Sequence, residues 1–311
     1  MKNPSINKFH FKSSDYDEFG TMLQVAHVEE KLLESGSFLG MARGVQTDRV
    51  TLLSFDINRK VLQMGTGTPG FVTFAIWEPN VLFSWRNVKM QSGMIGVLWN
   101  KDHQSITGSQ FSGIPISIEE NYFNNLCREK GYQELANKIK KSEVLYVSEL
   151  ELKKIRRLVR FIIQDNSLDE ISLKRLIEGE LLDQFIDCLG SALPAKSELD
   201  LTHSKMNLIM DYIHDNISNL SSLNQVSKGT HIPERTIRRL INKKFQVSPK
   251  QYLNKLRLNE VRKGLILDRR NSSIFQVASD YNFWHMGQFS KDYKNLFGEL
   301  PSKTIRNRSG E

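Results

Sequence analysis

The feature that most constrains this chain is an internal repeat in its last third. The segment SSLNQVS, which starts at Ser221, is matched 51 residues later by SSIFQVA, which starts at Ser272. Apolar and proline positions correspond beyond these segments, with one extra residue in the second copy, in the pairs Ile232 with Phe283, Ile237 with Phe289, Ile241 with Tyr293, Phe245 with Phe297, and Pro249 with Pro301. So many matched positions predict two similar structural units in succession.

Each copy has the pattern of two helices joined by a tight turn. A serine lies three residues before a glutamine in both copies, a spacing that caps the start of a helix. Steps of three and four between the later apolar positions place a second helix on a core shared with the first. Short helix, turn and second helix are the layout of a helix-turn-helix unit.

A helix is predicted between the two copies. Ser248 can cap it, and Pro249 fits the first helical position, where no backbone N–H is needed. Apolar residues continue to about Asp268, which gives some 18 residues and a length of about 27 Å. This is close to the roughly 34 Å between successive major grooves on one face of B-DNA, so one chain can read two grooves.

Charge is concentrated in the same third of the chain. Residues 201–311 hold 19 Lys and Arg against 9 Asp and Glu, a net charge of +10, whereas residues 1–200 have a net charge of −2. Such a distribution indicates a polyanion-binding domain attached to a nearly neutral body. A solvated lysine-rich surface would give the same total, so the arrangement of the basic residues must decide.

The arrangement favours DNA. On the second helix of the first copy, Arg235, Arg238 and Arg239 share a face, and arginine suits bidentate contact with guanine. Lys243 and Lys244 follow as candidate phosphate contacts. In the second copy the helix should start near His285, where Trp284 is expected to pack and His285 to cap. The candidate DNA-binding residues are Arg235, Thr236, Arg238, Arg239, Lys243, Met286, Gly287, Gln288 and Lys291.

Residues 203–306 resemble the DNA-binding domain of the AraC/XylS family of bacterial transcription regulators. The resemblance is carried by the two helix-turn-helix units and by Ser248-Pro249-x-x-Tyr252, Leu256-Arg257-Leu258, Ala278, Phe283, and Phe289-x-x-x-Tyr293-Lys294 through Phe297 and Pro301. Three positions depart from the family pattern, because Pro233 replaces the usual serine cap, Ser227 an alanine and Gln246 a glycine. The resemblance implies an activator whose second unit also meets RNA polymerase.

Two segments, residues 257–262 and residues 282–289, have a narrower likeness to the branch of the family that includes the ethanolamine-utilisation operon regulator. It implies a cupin-like sensor domain in the amino-terminal part. The predicted fold class is therefore α+β, with an amino-terminal cupin-like β-barrel and helices, then an all-α double helix-turn-helix domain. The expected boundaries are 1–193 for a sensor or oligomerisation domain, 194–202 for a linker and 203–311 for the DNA-binding domain.

The amino-terminal part has its own pattern of strands and helices. Between residues 50 and 119, short apolar runs such as VTLLSFDI and FVTFAIW alternate with turn residues, which favours an antiparallel sheet or small barrel. Helices are predicted from the capping-box spacing of Ser148 and Glu151, and over 169–190. Trp77, Phe83, Trp85 and Trp99 lie in or beside the strands and could line a small-molecule pocket, although ordinary core packing is the commoner role.

Catalytic and metal chemistry finds little support. Residues 1–200 hold only His10, His27 and His103, with no His-x-His pair, and Gly65-x-Gly67-x-x-Gly70 precedes a predicted strand, so it is interpreted as a loop. The two cysteines, Cys127 and Cys188, suit a reducing compartment. We expect no enzyme activity, no cofactor and no metal, and a cytosolic protein without a membrane-spanning segment.

The leading hypothesis is a sequence-specific transcription regulator, in particular an effector-responsive activator, with double-stranded DNA, RNA polymerase, a small-molecule effector and a second copy of itself as expected partners. Two alternatives stay open. One is an adaptor that binds DNA loosely and recruits a partner, and the other is a repressor without an effector. The effector and the target sequence are not encoded in any motif.

Overall fold

The structure is a computed structural model that describes residues 6–23, 26–79, 81–86, 88–194, 201–267 and 272–308. The chain forms two compact units. The first comprises residues 1–30 and 38–196, and the second comprises residues 31–37 and 197–311. The expected linker falls largely on residues 195–200, which lie outside the described part, and helix already begins at Leu201.

Most of the first unit is antiparallel sheet. Its strands are β1 (Asn7–Ser13), β2 (Ala26–Leu32, whose last two residues belong to the second unit), β3 (Gly40–Gln46), β4 (Val50–Ile57), β5 (Val61–Gly67), β6 (Phe71–Ala75), β7 (Phe83–Trp85), β8 (Val88–Lys89), β9 (Met94–Leu98), β10 (Asp102–Thr107), β11 (Phe111–Gly113), β12 (Ile116–Glu119), β13 (Val144–Tyr146) and β14 (Leu193–Pro194). The helices are α1 (Tyr16–Leu23), α2 (Glu120–Glu129), α3 (Leu135–Lys141), α4 (Glu149–Gln164), α5 (Glu170–Arg175) and α6 (Leu182–Gly190).

The strands form two sheets. One has the order β1-β3-β4-β12-β6-β9-β13-β14 with β11 beside β4, and the other has the order β2-β5-β10-β7-β8. The apolar runs between residues 50 and 119 are confirmed as strands; in β4, Val50, Leu52 and Leu53 are fully buried. Neither sheet closes on itself among the described strands, so the structure supports a mixed α and β unit, and the cupin-like barrel stays a prediction.

The helices of the first unit follow the predicted positions with two local differences. Ser148 occupies the N-cap of α4 but makes no side-chain cap bond, and the Glu151 side chain accepts from Lys154 Nζ at 2.8 Å rather than closing the predicted capping box. The helix expected over 169–190 is present as α5 and α6, joined by one π-helical segment, Leu176–Leu181. The side chains of Leu173, Ile177 and Phe185 are buried in the core as expected.

The glycine-rich segment is not a dinucleotide loop. Gly65 and Gly67 lie in strand β5, which corrects the interpretation of the whole segment as a loop, and Gly70 turns the chain at φ +80° into β6. A dinucleotide fingerprint requires a helix at this point, because the helix N-terminus binds the pyrophosphate. Strand β6 follows the segment instead of a helix, so the segment does not have the structure that dinucleotide binding requires.

The second unit is helical. Its elements are α7 (Leu201–Asn216), α8 (Leu223–Thr230), α9 (Glu234–Phe245), α10 (Pro249–Leu267), α11 (Ile274–Ser279), α12 (Met286–Phe297) and α13 (Pro301–Arg308). The pairs α8–α9 and α11–α12 are the two predicted helix-turn-helix units, and α10 is the predicted connecting helix. Ser248 caps α10 as expected, since Ser248 Oγ accepts from Gln251 N at 3.2 Å and Gln251 Oε1 accepts from Ser248 N at 2.9 Å. Asp268 lies outside the described residues.

The repeat extends to the turns. His231 and Asn282, which stand 51 residues apart, both adopt the left-handed conformation, at φ 56° and 66°. In α8 the Gln225 side chain accepts from Ser222 N at 3.1 Å, and in α11 Ser273 Oγ accepts from Gln276 N at 3.1 Å. Both helices therefore start with the cap that the serine and glutamine spacing predicts.

A short segment from far earlier in the sequence completes the second unit. Leu32 and Leu33 of residues 31–37 are buried. The Asn259 side chain of α10 pairs with the backbone of Leu32, because its Oδ1 accepts from Leu32 N at 2.8 Å and its Nδ2 donates to Leu32 O at 3.0 Å. Lys255 Nζ donates to Leu33 O at 2.5 Å, and Lys31 forms an ion pair with Glu260 at 2.5 Å.

Candidate nucleic-acid interface

Helix α9 separates an apolar face from a basic face. Ile237, Leu240, Ile241 and Phe245 are buried. The other face carries four exposed cationic residues that the sequence predicted as DNA contacts: Arg235, Arg238, Arg239 and Lys243. Thr236, which was predicted with them, is half-buried. The three- and four-residue spacing produces this result directly, because apolar positions on one side of a helix leave the remaining positions to solvent.

Aromatic contacts on the buried face of α9 fix the position of this helix. The rings of Phe245 and Tyr252 stack with centroids 4.0 Å apart and an interplanar angle of 20°. Tyr252 is fully buried, its hydroxyl contacts the Met210 sulfur at 3.3 Å, and burial raises its pKa well above the ordinary value. These contacts connect α9 to α7 and α10, so the arginine face is presented by a rigid helix.

One lysine of α9 differs from the expectation. Lys244 is half-buried, its Nζ lies 5.6 Å from the Phe245 ring centroid, and burial lowers its pKa to about 7. It therefore does not share the exposure of Lys243. Periodicity alone could not reveal this, since the lysine stem is long enough to fold back over the last turn of the helix.

Helix α12 presents a less charged face. Phe289, Tyr293 and Leu296 are buried, whereas Gly287, Gln288 and Lys291 are exposed and Met286 is half-buried. His285 is the N-cap residue, as expected, but its side chain makes no cap hydrogen bond. Gln288 Nε2 donates to Asp292 Oδ1 at 2.7 Å, and Arg238 of α9 likewise pairs with Glu234 at 3.4 Å. Exposed pairs of this kind are worth about 0–1 kcal/mol, so DNA can replace them.

A buried polar network anchors α12. Arg262 of α10, 2% exposed, donates to Glu299 Oε1 at 2.7 Å and to Thr304 Oγ1 at 3.2 Å. The Tyr293 hydroxyl lies 2.8 Å from the same Thr304 oxygen, and burial raises the pKa of Tyr293 to about 12. The network joins α10, α12 and α13, and it holds α12 in place as the aromatic stack holds α9.

Trp284 does not pack as the sequence suggested. Its side chain is 64% exposed, and the neighbouring Phe283 makes the core contact instead, with its ring 5.1 Å from that of Phe289. Asn282 Nδ2 donates to Ser218 O at 2.9 Å and fixes the turn on the other side. The expectation failed because the extra residue of the second copy lies in this turn, where periodicity gives no direction.

The first unit contains a mainly apolar cavity of about 90 Å³ between its two sheets. Phe83 and Trp85 line it, as the sequence suggested, together with Phe55, Phe111 and the carboxyl-bearing Glu30. Trp77 and Trp99 do not line it: Trp77 packs against Phe83 at 5.0 Å, and Trp99 packs against Phe123 at 5.7 Å.

Other chemistry is sparse among the described residues. No group of three His, Cys, Asp or Glu side chains lies close enough to hold a metal ion there. Cys127 and Cys188 are free and buried, and burial raises the pKa of both thiols to about 11. Within the same residues, no helix has the length and apolar character needed to cross a membrane.

Comparison with known proteins identifies the second unit. Residues 226–307 match the model of a family described as a helix-turn-helix domain. The chain is 28% identical over 129 residues to the XylDLEGF operon transcriptional activator of Pseudomonas putida, covering 41% of this chain and 40% of that protein. It is 33% identical over 98 residues to the XylDLEGF operon transcriptional activator 2, covering 31% and 62%. The carboxy-terminal unit is an AraC/XylS-type DNA-binding domain.

Part of the chain is also similar to a solved structure whose description names an AraC-type DNA-binding domain. It is a transcriptional regulator from Chromobacterium violaceum, 24% identical, which covers 35% of this chain and 95% of its own at a TM-score of 0.32. The chain spans about two fifths of the length of the first curated relatives it matches. The family model matches residues 226–307 only, so it carries no information about the cavity of the first unit.

Proposed function

We propose that this chain is a sequence-specific transcription regulator, an activator that reads two major grooves with α9 and α12. The observation that carries the proposal is the exposed basic face of α9, where Arg235, Arg238 and Arg239 are presented by a helix fixed to the domain core. Arginine pairs with guanine at a discrimination of about 1–3 kcal/mol for a good bidentate contact. The less charged face of α12 gives weaker readout through Gln288, Met286 and Lys291.

The test is selection of bound duplexes from a random pool, followed by footprinting of the selected site with the full chain. We expect a discrete protected sequence. Arg238→Ala should lower the affinity for the site about 5- to 150-fold and relax the preference at one base pair. An adaptor that binds DNA loosely would protect no discrete sequence, and that result would remove the proposal.

Lys243→Ala is the matched control for the arginine. Because its expected partner is a phosphate, the substitution should weaken all duplexes by a similar factor and reduce the slope of log affinity against log salt by about one unit. Equal losses on specific and random DNA for Arg238→Ala would contradict the assigned division of roles. Titrations at several salt concentrations measure both quantities.

Activation needs a contact with the transcription machinery, which we assign to α11. Phe275 on this helix is 50% exposed, and the relatives reported above are named as transcriptional activators. A reporter behind the selected site should lose activity with Phe275→Ala, whereas binding to the site should not change. If the protein were a repressor, reporter output would instead rise when the protein is removed.

The first unit is proposed as a cupin-like sensor for a small, mainly apolar molecule, and as the place where two copies of the chain associate. The cavity between its sheets supports the sensing role, since ligand sites are mostly apolar with a few polar groups. Ala75→Leu should fill this cavity. Native mass spectrometry of the protein purified from cells should then show a bound small molecule in the original chain and none in the variant.

No catalytic residues are assigned in this proposal, and none of its steps needs a cofactor. A regulator of this kind acts in the cytosol, where the DNA is. The operator and the genes beside it can be found by mapping bound sites across the genome, and those genes would give the chemical class of the effector.

A further inference from the structure

Trp284 is the exception among the four tryptophans of the chain. Trp77, Trp85 and Trp99 are 6%, 4% and 3% exposed, whereas Trp284 is 64% exposed. A single exposed aromatic residue of this size on a folded domain is informative, because the large apolar surface is favourable only when something covers it.

The residues on both sides of Trp284 fix the backbone that presents its exposed side chain. Asn282 is in the left-handed conformation and is bonded to Ser218 O, and Phe283 packs on Phe289. His285 follows as the N-cap of α12. The backbone is thus fixed on both sides, and the indole stands at the entrance to the second reading helix.

The internal repeat shows what differs here between its two copies. In the first copy residues 231–233 join α8 to α9, whereas in the second copy residues 280–285 join α11 to α12. The left-handed residues His231 and Asn282 correspond, so the extra residue of the second copy comes after them. The first copy has Pro233 and then an arginine face at this point, whereas the second copy has Trp284 and fewer charges.

We infer that Trp284 is a specificity-determining residue that contacts DNA, with its indole packed against the 5-methyl group of a thymine at the edge of the sequence read by α12. This rests on the proposed function. Residues at the start of a recognition helix are the ones that reach base edges, and the thymine methyl is the apolar feature of the major groove.

The surroundings fit such an approach. Among the described residues, nothing lies within 4 Å of a Cβ placed on Gly287, so none of them explains a glycine on this exposed turn of α12. Glycine lowers helix stability, and it allows another backbone to come close. Lys291, one turn further along the exposed face, supplies the positive charge that complements the duplex.

The experiment compares duplexes that differ by one methyl group. The full chain first selects its site from random DNA, and each thymine of that site is then replaced in turn by deoxyuridine. We expect one replacement to weaken binding by the original chain about fourfold, the effect of one buried methyl group. Trp284→Ala should lower affinity for the site about tenfold or more and should be insensitive to that same replacement.

Phe275→Ala is the control, because Phe275 is an exposed aromatic residue of the same domain that does not lie on a reading helix. It should bind the site as the original chain does. Trp284→Phe should retain part of the methyl sensitivity, and circular dichroism should show that both Trp284 variants are folded.

The inference is overturned if Trp284→Ala binds with the original affinity and base preferences, or if it weakens every duplex equally. These results differ from a failure of the proposed function. In that case the original chain would select no sequence at all, and Arg238→Ala would have no preference to relax.

Discussion

Glu30 shows how one side chain can make a folded unit sensitive to pH. Its Oε1 accepts from Gln63 Nε2 at 2.7 Å, and Gln63 in turn accepts from Ser105 Oγ at 3.0 Å. The carboxyl lines an apolar cavity, and burial, with a smaller contribution from Asp17, raises its pKa to about 7. The folded unit therefore binds this proton more tightly than the unfolded chain, whose value is near 4.5.

The sign of the pH dependence follows. The stabilisation is complete below about pH 4.5 and is lost as the pH rises through 7. Glu30→Gln keeps the shape and removes the charge, so it should raise the free energy of unfolding at pH 8 by about 1–3 kcal/mol and change it little at pH 4. Denaturant titrations at both pH values measure this. Glu134→Gln, at an exposed position, is the control and should show no such difference.

At this scale the sequence predicted some side chains and not others. The exposure of Arg235, Arg238 and Arg239 follows from helical periodicity, which fixes direction once the apolar positions are known. Lys244 and Trp284 were not predictable. The first folds over a neighbouring ring, and the second stands in a turn of irregular length, so tertiary contacts decide both positions.

Among the elements, helices α9 and α12 end in the same left-handed conformation with different residues. Gln246 after α9 has φ 59°, and Gly298 after α12 has φ 77°. The left-handed conformation suits glycine and costs other residues about 1 kcal/mol or more. The departure of Gln246 from the family pattern is therefore accommodated by strain at the helix end, with the helix itself unchanged.

Gln246→Gly should raise the free energy of unfolding of the carboxy-terminal unit by about 0.5–1 kcal/mol, because the strain is removed. Gly298→Ala is the reciprocal control and should lower it by a similar amount; the added Cβ would only touch Ser37 at 3.7 Å, so no clash contributes. Thermal unfolding of the two variants measures both changes. A loss of stability in Gln246→Gly would show that the Gln246 side chain makes a contribution of its own.

Element prediction succeeded where the pattern was strong. The strands between residues 50 and 119 and the two helix-turn-helix units were placed from apolar runs and caps. No strand was predicted before residue 50, where β3 has the sequence GMARGVQ, because two glycines and an arginine weaken the strand signal. The π-helical segment within 170–190 was also missed, since four-residue steps between apolar positions fit an α-helix as well as a helix with a π-helical segment.

For the molecule as a whole, the division into two units is the feature that sequence patterns could not give. Residues 31–37 pack with the second unit, although they come directly after Glu30 of the first. The contacts of Asn259 with Leu32 join positions 227 residues apart. Periodicity reports only on neighbours in sequence, so this pairing is invisible to it.

Asn259→Ala tests the importance of that pairing. It removes two hydrogen bonds to the Leu32 backbone and leaves a buried donor without its acceptor, so the carboxy-terminal unit should lose about 1–3 kcal/mol of stability. Asn254→Ala on the same helix removes one bond at 3.3 Å from a half-buried side chain and should cost less than about 1 kcal/mol. Scanning calorimetry of the full chain compares the two. Equal effects would mean that residues 31–37 add little to the unit.

The embedded segment also bears on how this protein can be dissected. A fragment that starts at residue 197 would lack Leu32 and Leu33, two side chains of its own interior, and would expose the α10 surface that they cover. Cutting the chain once does not separate the complete first unit from the complete second unit. Chimeras that exchange the second unit between related chains should carry the 31–37 peptide with them, as a graft taken from a distant part of the donor.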